Sequence, residues 1–211
     1  MELYFAPLAC AMATRIALYE AGADATYHQV DTKAKRLADG GDYLAINPLG
    51  QVPVLRLDSG ELLTENVAIL QYVADRYPAS GLAPAGGVER YRLQQWLSFI
   101  TTELHKVVFT PLLSSAAPEG AKAFARDKAP IRFAHLAKHL EGREFLLDRF
   151  TVADAYLVTV LNWAKVTGID LAQWPPINDY DRRMHQRPSV ARAFAEELDL
   201  YKAEQARRSA A

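Results

Sequence analysis

The apolar pattern of this chain changes character once, and the change falls at a stretch of alanine, proline and glycine at residues 79–87. Before it, short apolar runs of strand length alternate with helix-forming segments; after it, the apolar residues recur at helical spacing. A period of two buries one face of a strand, whereas a period of about 3.6 buries one stripe of a helix. A chain that alternates the two periods and then keeps only the helical one folds as an α/β unit followed by an all-α one. The expected organisation is a first domain at 1–80, a linker at 81–87 and a helical domain at 88–211.

Within the first part, residues 3–5 read as a strand and 11–21 as a helix stopped at Gly22. Residues 26–30 read as a second strand, and the polar stretch 33–41 as irregular or loosely helical. A third strand is expected at 52–57, joined through Asp58-Ser59-Gly60 to a short strand at 61–63. A helix opens at Thr64 or Glu65 and runs to about Tyr77, closed by Pro78. This order mates a parallel unit to a hairpin in one mixed sheet.

Beyond the linker, Tyr91, Trp96, Phe99, Ile100, Leu104, Val107 and Val108 recur along one long amphipathic helix, expected to end near Pro111. A second helix spans 119–140, and Pro130 inside it is expected to kink or split it. Thr151 and Asp154 have the spacing of a capping box, with Phe150 as a hydrophobic staple. Shorter helices are expected at 180–184 and 189–198, with a frayed tail from Tyr201.

Half of the 211 residues are apolar, enough for a sizeable core, and 24 basic against 25 acidic residues leave a formal charge of -1. That balance supplies no broad field for nucleic acid or anionic membranes, so neither is an expected partner. No stretch approaches the roughly 20 apolar residues of a membrane span, and the amino terminus lacks a secretory signal, so a cytoplasmic protein is expected. The single cysteine, Cys10, excludes an intrachain disulfide and a multi-cysteine metal site. His135 and His139, four apart on a helix, read as a solvated surface pair, and no metal is expected.

Three places carry chemistry. Cys10 lies between the first strand and the first helix, where free amides stabilise an anion; it reads either as a reactive thiolate or as a small buried hydrophobe. In Asn47-Pro48-Leu49-Gly50-Gln51-Val52-Pro53, the proline reads either as an ordinary edge proline or as a cis residue that aims the Val52 amide and carbonyl outward to pair with an extended ligand. At Thr64-Glu65-Asn66, a helix amino terminus and an acidic side chain offer to hold a carboxylate and an ammonium together; the alternative is simple capping.

These motifs, with Tyr72 to Pro78, Gln95-Trp96-Leu97-Ser98-Phe99, Glu103-Leu104-His105-Lys106, Thr151-Val152-Ala153-Asp154 and Asn162-Trp163, resemble the glutathione transferases, and in particular their bacterial beta class. The resemblance implies a thioredoxin-like amino-terminal domain, a helical carboxy-terminal domain, a homodimer, and glutathione as cosubstrate with no further cofactor. It implies that Cys10 faces the glutathione sulfur, Val52 pairs with the cysteinyl backbone, Glu65 and Asn66 hold the γ-glutamyl group and Lys35 binds the glycyl carboxylate. His105 is implied as a second catalytic group near the thiol. Ser98, Thr102, Glu103 and Leu104 are implied to border the site, with Glu103 reaching the partner subunit's glutathione. Read without the family, Lys35 is a solvated surface charge and His105 an interface histidine. Lys35 or His105 nearby is expected to add positive potential to that of the helix amino terminus at Cys10.

The sequence departs from the family pattern at Asn66, where Ser is common, at Ala11, where a small hydroxyl residue is common, and at residues 146–149, which lack the usual glycine. The function implied is conjugation of glutathione to small hydrophobic electrophiles, with thiol-disulfide chemistry through Cys10. Tyr4 is the rival activator, although its strand position suits a packing residue. The alternative function is a non-catalytic glutathione-binding interaction or stress protein of the same fold; a monothiol glutaredoxin leaves the helical half without a purpose.

Overall fold

The computed structural model describes residues 1–209. In chain order the elements are β1 (Glu2–Phe5), α1 (Ala11–Glu20), β2 (Thr26–Asp31), β3 (Arg36–Leu37), β4 (Val54–Arg56), β5 (Leu62–Leu63), α2 (Asn66–Arg76), α3 (Gly87–Phe99), α4 (Thr110–Leu113), α5 (Glu119–Leu140), α6 (Val152–Leu161), α7 (Ala164–Thr167), α8 (Pro175–His185) and α9 (Pro188–Ser209). A π-helical stretch, Ile100–Phe109, runs between α3 and α4. Residues 1–82 together with α9 form one compact unit and residues 83–187 the other. The carboxy-terminal helix, expected with the helical half, therefore groups with the sheet.

The sheet has the order β3-β2-β1-β4-β5. β1 pairs parallel with β2 and antiparallel with β4, in the register Tyr4 to His28 on one side and Tyr4 to Val54 on the other. Alternation along β1 sends Leu3 and Phe5 to one face and Tyr4 to the other. Tyr4 joins Val30, Tyr43 and Val54 in a buried cluster with Leu37, Ile46 and Val52 against it. Its hydroxyl meets Glu2 at 3.0 Å and Arg56 at 3.1 Å, and it is a packing residue. The polar stretch after β2, read as irregular, contains the two-residue β3, which closes the sheet edge against Val30 and Asp31.

α9 is longer than its sequence pattern indicated. The expected fraying from Tyr201 does not occur through Ser209; Ala210 and Ala211 lie outside the described residues. Side chains from the sheet hold its last turns: Gln29 donates to Glu204 at 3.1 Å and Arg208 pairs with Asp31 at 3.2 Å. Nearer its start, Glu197 is fully buried and bonds the buried Arg15 of α1 at 3.0 Å. The same carboxylate accepts the Leu8 amide at 2.7 Å, two residues before Cys10. The Arg15 guanidinium lies over the Phe5 and Tyr27 rings at 4.3 and 4.2 Å, so the buried charge has both an ion partner and aromatic faces.

In the helical unit, all ten residues of α6 are buried. Its amino terminus is closed by the expected capping box: the Thr151 amide and hydroxyl donate to Asp154 at 2.9 Å each. Asp154 also accepts the Leu146 amide and the Tyr180 hydroxyl, both at 2.9 Å. The segment that lacks the usual glycine is thus pinned by Leu146. α5 is not split at Pro130: the residue before and after it stay in one helix, since a proline removes only one rung of the ladder. The helix expected to end near Pro111 continues to Leu113. Pro111 has no amide to give, and the preceding turns have widened so that the Thr110 amide bonds the carbonyl of His105, five residues back.

His135 is exposed, as the surface reading has it, whereas His139 is half-buried. Both lie against Trp96, with ring centroids 5.9 and 4.3 Å away, and His139 Nε2 is 2.8 Å from the Leu146 carbonyl. Among the described residues, no group of three or more His, Cys, Asp or Glu side chains is placed to hold a metal ion, and no helix is long and apolar enough to cross a membrane.

Candidate active site

The sheet unit brings four of its five expected residues into one connected arrangement. Cys10 is the residue at which α1 begins, and its thiol donates to the Val52 carbonyl at 3.4 Å. The Val52–Pro53 bond is cis, as the sequence suggested. The carbonyl expected to face a ligand accepts the thiol in this structure and keeps a second lone pair.

The loop that presents Val52 is held from both sides. Tyr43 and Asn47 donate to the Gln51 carbonyl at 2.7 and 2.8 Å. Lys35 Nζ donates to the Gly50 carbonyl at 2.9 Å. Gly50 has φ +59°, and a Cβ there would lie 2.7 Å from Lys35 Cδ, so only glycine lets the lysine chain lie across the loop. Lys35, which by itself reads as a surface charge, is half-buried in this contact. Its own φ is +57°.

Glu65 is exposed and has φ 63° and ψ 112°, a conformation that costs a side-chain-bearing residue about 1–3 kcal/mol. Such outliers concentrate where a backbone must present a group in one direction. The next residue, Asn66, opens α2 and is 7% exposed. Its Oδ1 accepts the Thr14 hydroxyl at 3.0 Å, one helical turn beyond Cys10. Its Nδ2 is buried with no hydrogen-bond partner. Buried amide donors are nearly always satisfied, so an orphan beside a helix amino terminus is a candidate partner for an external acceptor.

In the helical unit, the expected residues lie along α3 and the π-helical stretch. Ser98 and Thr102 are exposed and one turn apart, the Thr102 hydroxyl donating to the Ser98 carbonyl at 3.0 Å. Glu103 is paired with Arg132 of α5 at 2.5 Å. Leu104 is fully buried and belongs to the core of its unit. His105 is half-buried: Nδ1 lies 2.7 Å from the Tyr156 hydroxyl of α6, and the Trp163 ring meets the imidazole edge to face at 4.9 Å. Burial, with a smaller contribution from Lys106, pulls the His105 pKa down to about 4. The ring is therefore neutral near pH 7, and the positive potential expected from it is absent.

Sequence reasoning missed Thr14, Tyr156 and Arg132. Thr14 was within reach, because position i+4 on a helix shares a face with position i. Tyr156 and Arg132 are 51 and 29 residues from the side chains they hold, and no local pattern joins them.

A thioredoxin-like sheet unit with a cysteine at the start of its first helix, followed by a helical unit, is the architecture of a glutathione-using transferase. Residues 1–75 match the family model for the glutathione S-transferase N-terminal domain, and residues 132–195 that for the C-terminal domain. The chain is 44% identical over 199 residues to glutathione S-transferase GstA of Escherichia coli O157:H7, covering 93% of this chain and 98% of that one. Among solved structures it resembles a sphingomonad glutathione S-transferase complexed with glutathione, with 46% identity, a TM-score of 0.89, and coverage of 93% and 98%. It also resembles a bacterial beta class enzyme of Sphingomonas chungbukensis, with 43% identity, a TM-score of 0.89 and the same coverage.

The chain belongs to the glutathione S-transferase family, on its bacterial beta class branch. It is a transferase that takes glutathione as its cosubstrate and needs no further cofactor.

Proposed function

We propose that the enzyme conjugates glutathione to small hydrophobic electrophiles and works as a cytoplasmic homodimer. The sheet unit holds the tripeptide: Asn66 Nδ2 and the first amides of α2 take the γ-glutamyl carboxylate, Glu65 takes the ammonium, the Val52 backbone pairs with the cysteinyl residue, and Lys35 takes the glycyl carboxylate. From the helical unit, Ser98, Thr102, Glu103 and His105 are the residues that the family resemblance assigns to glutathione; Leu104, also assigned, is buried in the core of its unit. The glutathione thiolate then attacks an electrophilic carbon, forming the sulfur–carbon bond as the leaving group departs with its electron pair.

The observation that carries this reading is the buried, unpartnered Asn66 amide beside the strained Glu65. Homodimer formation is supported by Val88 and Tyr91 of α3 and Phe124 and Ile131 of α5, which are 63, 71, 54 and 70% exposed. The interior face of the long helix does not support it, because Trp96, Leu97, Ile100, Leu104 and Val108 are consumed by the unit's own core. Titration calorimetry with glutathione tests the assignment. Glu65→Ala should weaken binding by about 1.5–3 kcal/mol, the range for a charge-assisted hydrogen bond. An unchanged dissociation constant places the tripeptide elsewhere.

A second activity rests on the position of Cys10 at the start of α1, where free helix amides stabilise an anion. The Cys10 thiolate attacks the glutathione sulfur of a glutathionylated thiol, forming a Cys10–glutathione disulfide and expelling the other thiolate. With no second cysteine in the chain, a free glutathione thiolate then releases Cys10 and leaves as oxidised glutathione. Cys10→Ala should abolish disulfide reduction and only partly reduce conjugation. Retained disulfide reduction excludes the nucleophile role, and equal loss of both means that the thiol serves to position glutathione.

A further inference from the structure

Among the described residues, the His105 imidazole hydrogen-bonds through one ring nitrogen. Nδ1 lies 2.7 Å from the hydroxyl of Tyr156, which is 1% exposed in the middle of α6. Nε2 makes no hydrogen bond among the described residues and is not among the buried orphaned atoms, so it faces outward. The Trp163 ring, itself packed against Phe109 at 5.8 Å, closes one side of the imidazole. The ring can neither flip nor slide without losing the Tyr156 bond and these aromatic contacts. The backbone that carries it is the π-helical stretch whose widened turns end on the His105 carbonyl, which accepts both the amide and the hydroxyl of Thr110.

Either partner of the Tyr156 contact could in principle supply the proton. A phenol is a better hydrogen-bond donor than a neutral imidazole N–H, and a pyridine-type imidazole nitrogen is a far better acceptor than a phenol oxygen. The short separation fits an O–H···N bond. We infer that Tyr156 is a positioning residue whose hydroxyl donates to His105 Nδ1, so that the imidazole is held with its proton on Nε2 as an outward-facing neutral donor.

A neutral donor of this kind stabilises developing negative charge without itself exchanging its proton in the working pH range. What that charge is rests on the function proposed above: the glutathione sulfur or an oxyanion of the electrophile. The tautomer itself does not rest on that reading.

The test is 15N-edited NMR of the imidazole side chains in the full-length enzyme and in Tyr156→Phe, with His105→Asn to assign the signal. In the parent enzyme at pH 7, His105 should show a pyridine-type Nδ1 and a protonated Nε2, with correlation of Nδ1 to a slowly exchanging Tyr156 hydroxyl proton. In Tyr156→Phe, that proton should vanish and Nδ1 should shift towards an unbonded pyridine-type nitrogen. Conjugation by that variant should fall about fivefold in kcat, the worth of one ordinary hydrogen bond, with little change in the KM for glutathione. A proton on Nδ1 in the parent enzyme, or an Nδ1 signal unmoved by Tyr156→Phe, overturns the inference. A correct tautomer whose Nε2 signal does not move when glutathione is added sustains the inference and instead overturns the placement of glutathione near His105. Circular dichroism of Tyr156→Phe separates these results from loss of fold.

Discussion

The Thr14 hydroxyl donates to the Asn66 side-chain carbonyl at 3.0 Å, joining the helix that begins at Cys10 to the helix that begins at Asn66. Both groups are buried, and the bond holds the Asn66 amide in one orientation with its Nδ2 left for a ligand. It thereby couples the helix that follows Cys10 to the residue proposed above to hold the amino-acid end of glutathione.

Replacing Thr14 by valine keeps the volume and removes the donor. The Asn66 carbonyl is then buried without a partner, which should cost about 1–3 kcal/mol of stability. Thr14→Val should also raise the dissociation constant for glutathione while leaving that for the hydrophobic electrophile unchanged. Chemical denaturation and calorimetry on the same variant check both statements.

Gly50→Ala should act on Lys35. The new Cβ meets the lysine chain at 2.7 Å at a positive φ, so the lysine must swing away and lose its bond to the Gly50 carbonyl. The expected loss is about 1–2 kcal/mol of stability from the backbone conformation alone, together with a weaker affinity for glutathione. A variant whose affinity and melting temperature match the parent's would show that the Lys35 contact has no such role.

Asp154 is the acceptor for four donors in a site where burial pushes its carboxyl pKa above the usual range. Asp154→Ala strands the Thr151 and Leu146 amides and the Tyr180 hydroxyl, and should destabilise the protein by more than about 3 kcal/mol. Urea denaturation measures it, with Asp154→Asn expected to fall between the two.

The pH dependence of stability should carry a signature of His105, whose pKa falls from 6.5 unfolded to about 4 folded because burial disfavours its charged form. Between these values the unfolded chain binds the extra proton, so this contribution is complete above pH 6.5 and is lost as pH falls towards 4. The amplitude is at most about 3 kcal/mol. Denaturation at pH 7 and pH 4.5 should show a smaller drop in His105→Asn than in the parent enzyme.

Much of this was legible in the residues themselves. The switch from strand to helix periodicity, the cis proline after Val52, the Thr151–Asp154 box and the positions of Cys10, Glu65 and Asn66 each express a local preference of a few adjacent residues. Helix ends were misjudged where the reason was distant. The run to Ser209 depends on Gln29 and Asp31, and the passage through Pro111 on a change of helical register that composition does not announce.

What the sequence determined is therefore the order of elements, the chemical types available and the short-range geometry that backbone preferences impose. Only the tertiary structure decided that Cys10 gives its thiol to Val52, that Lys35 lies across Gly50, that Asn66 keeps one buried donor unpaired, and that His105 is neutral against Tyr156. These depend on pairs of residues 15 to 52 positions apart, whose hydrogen bonds and desolvation exist only once the chain has packed.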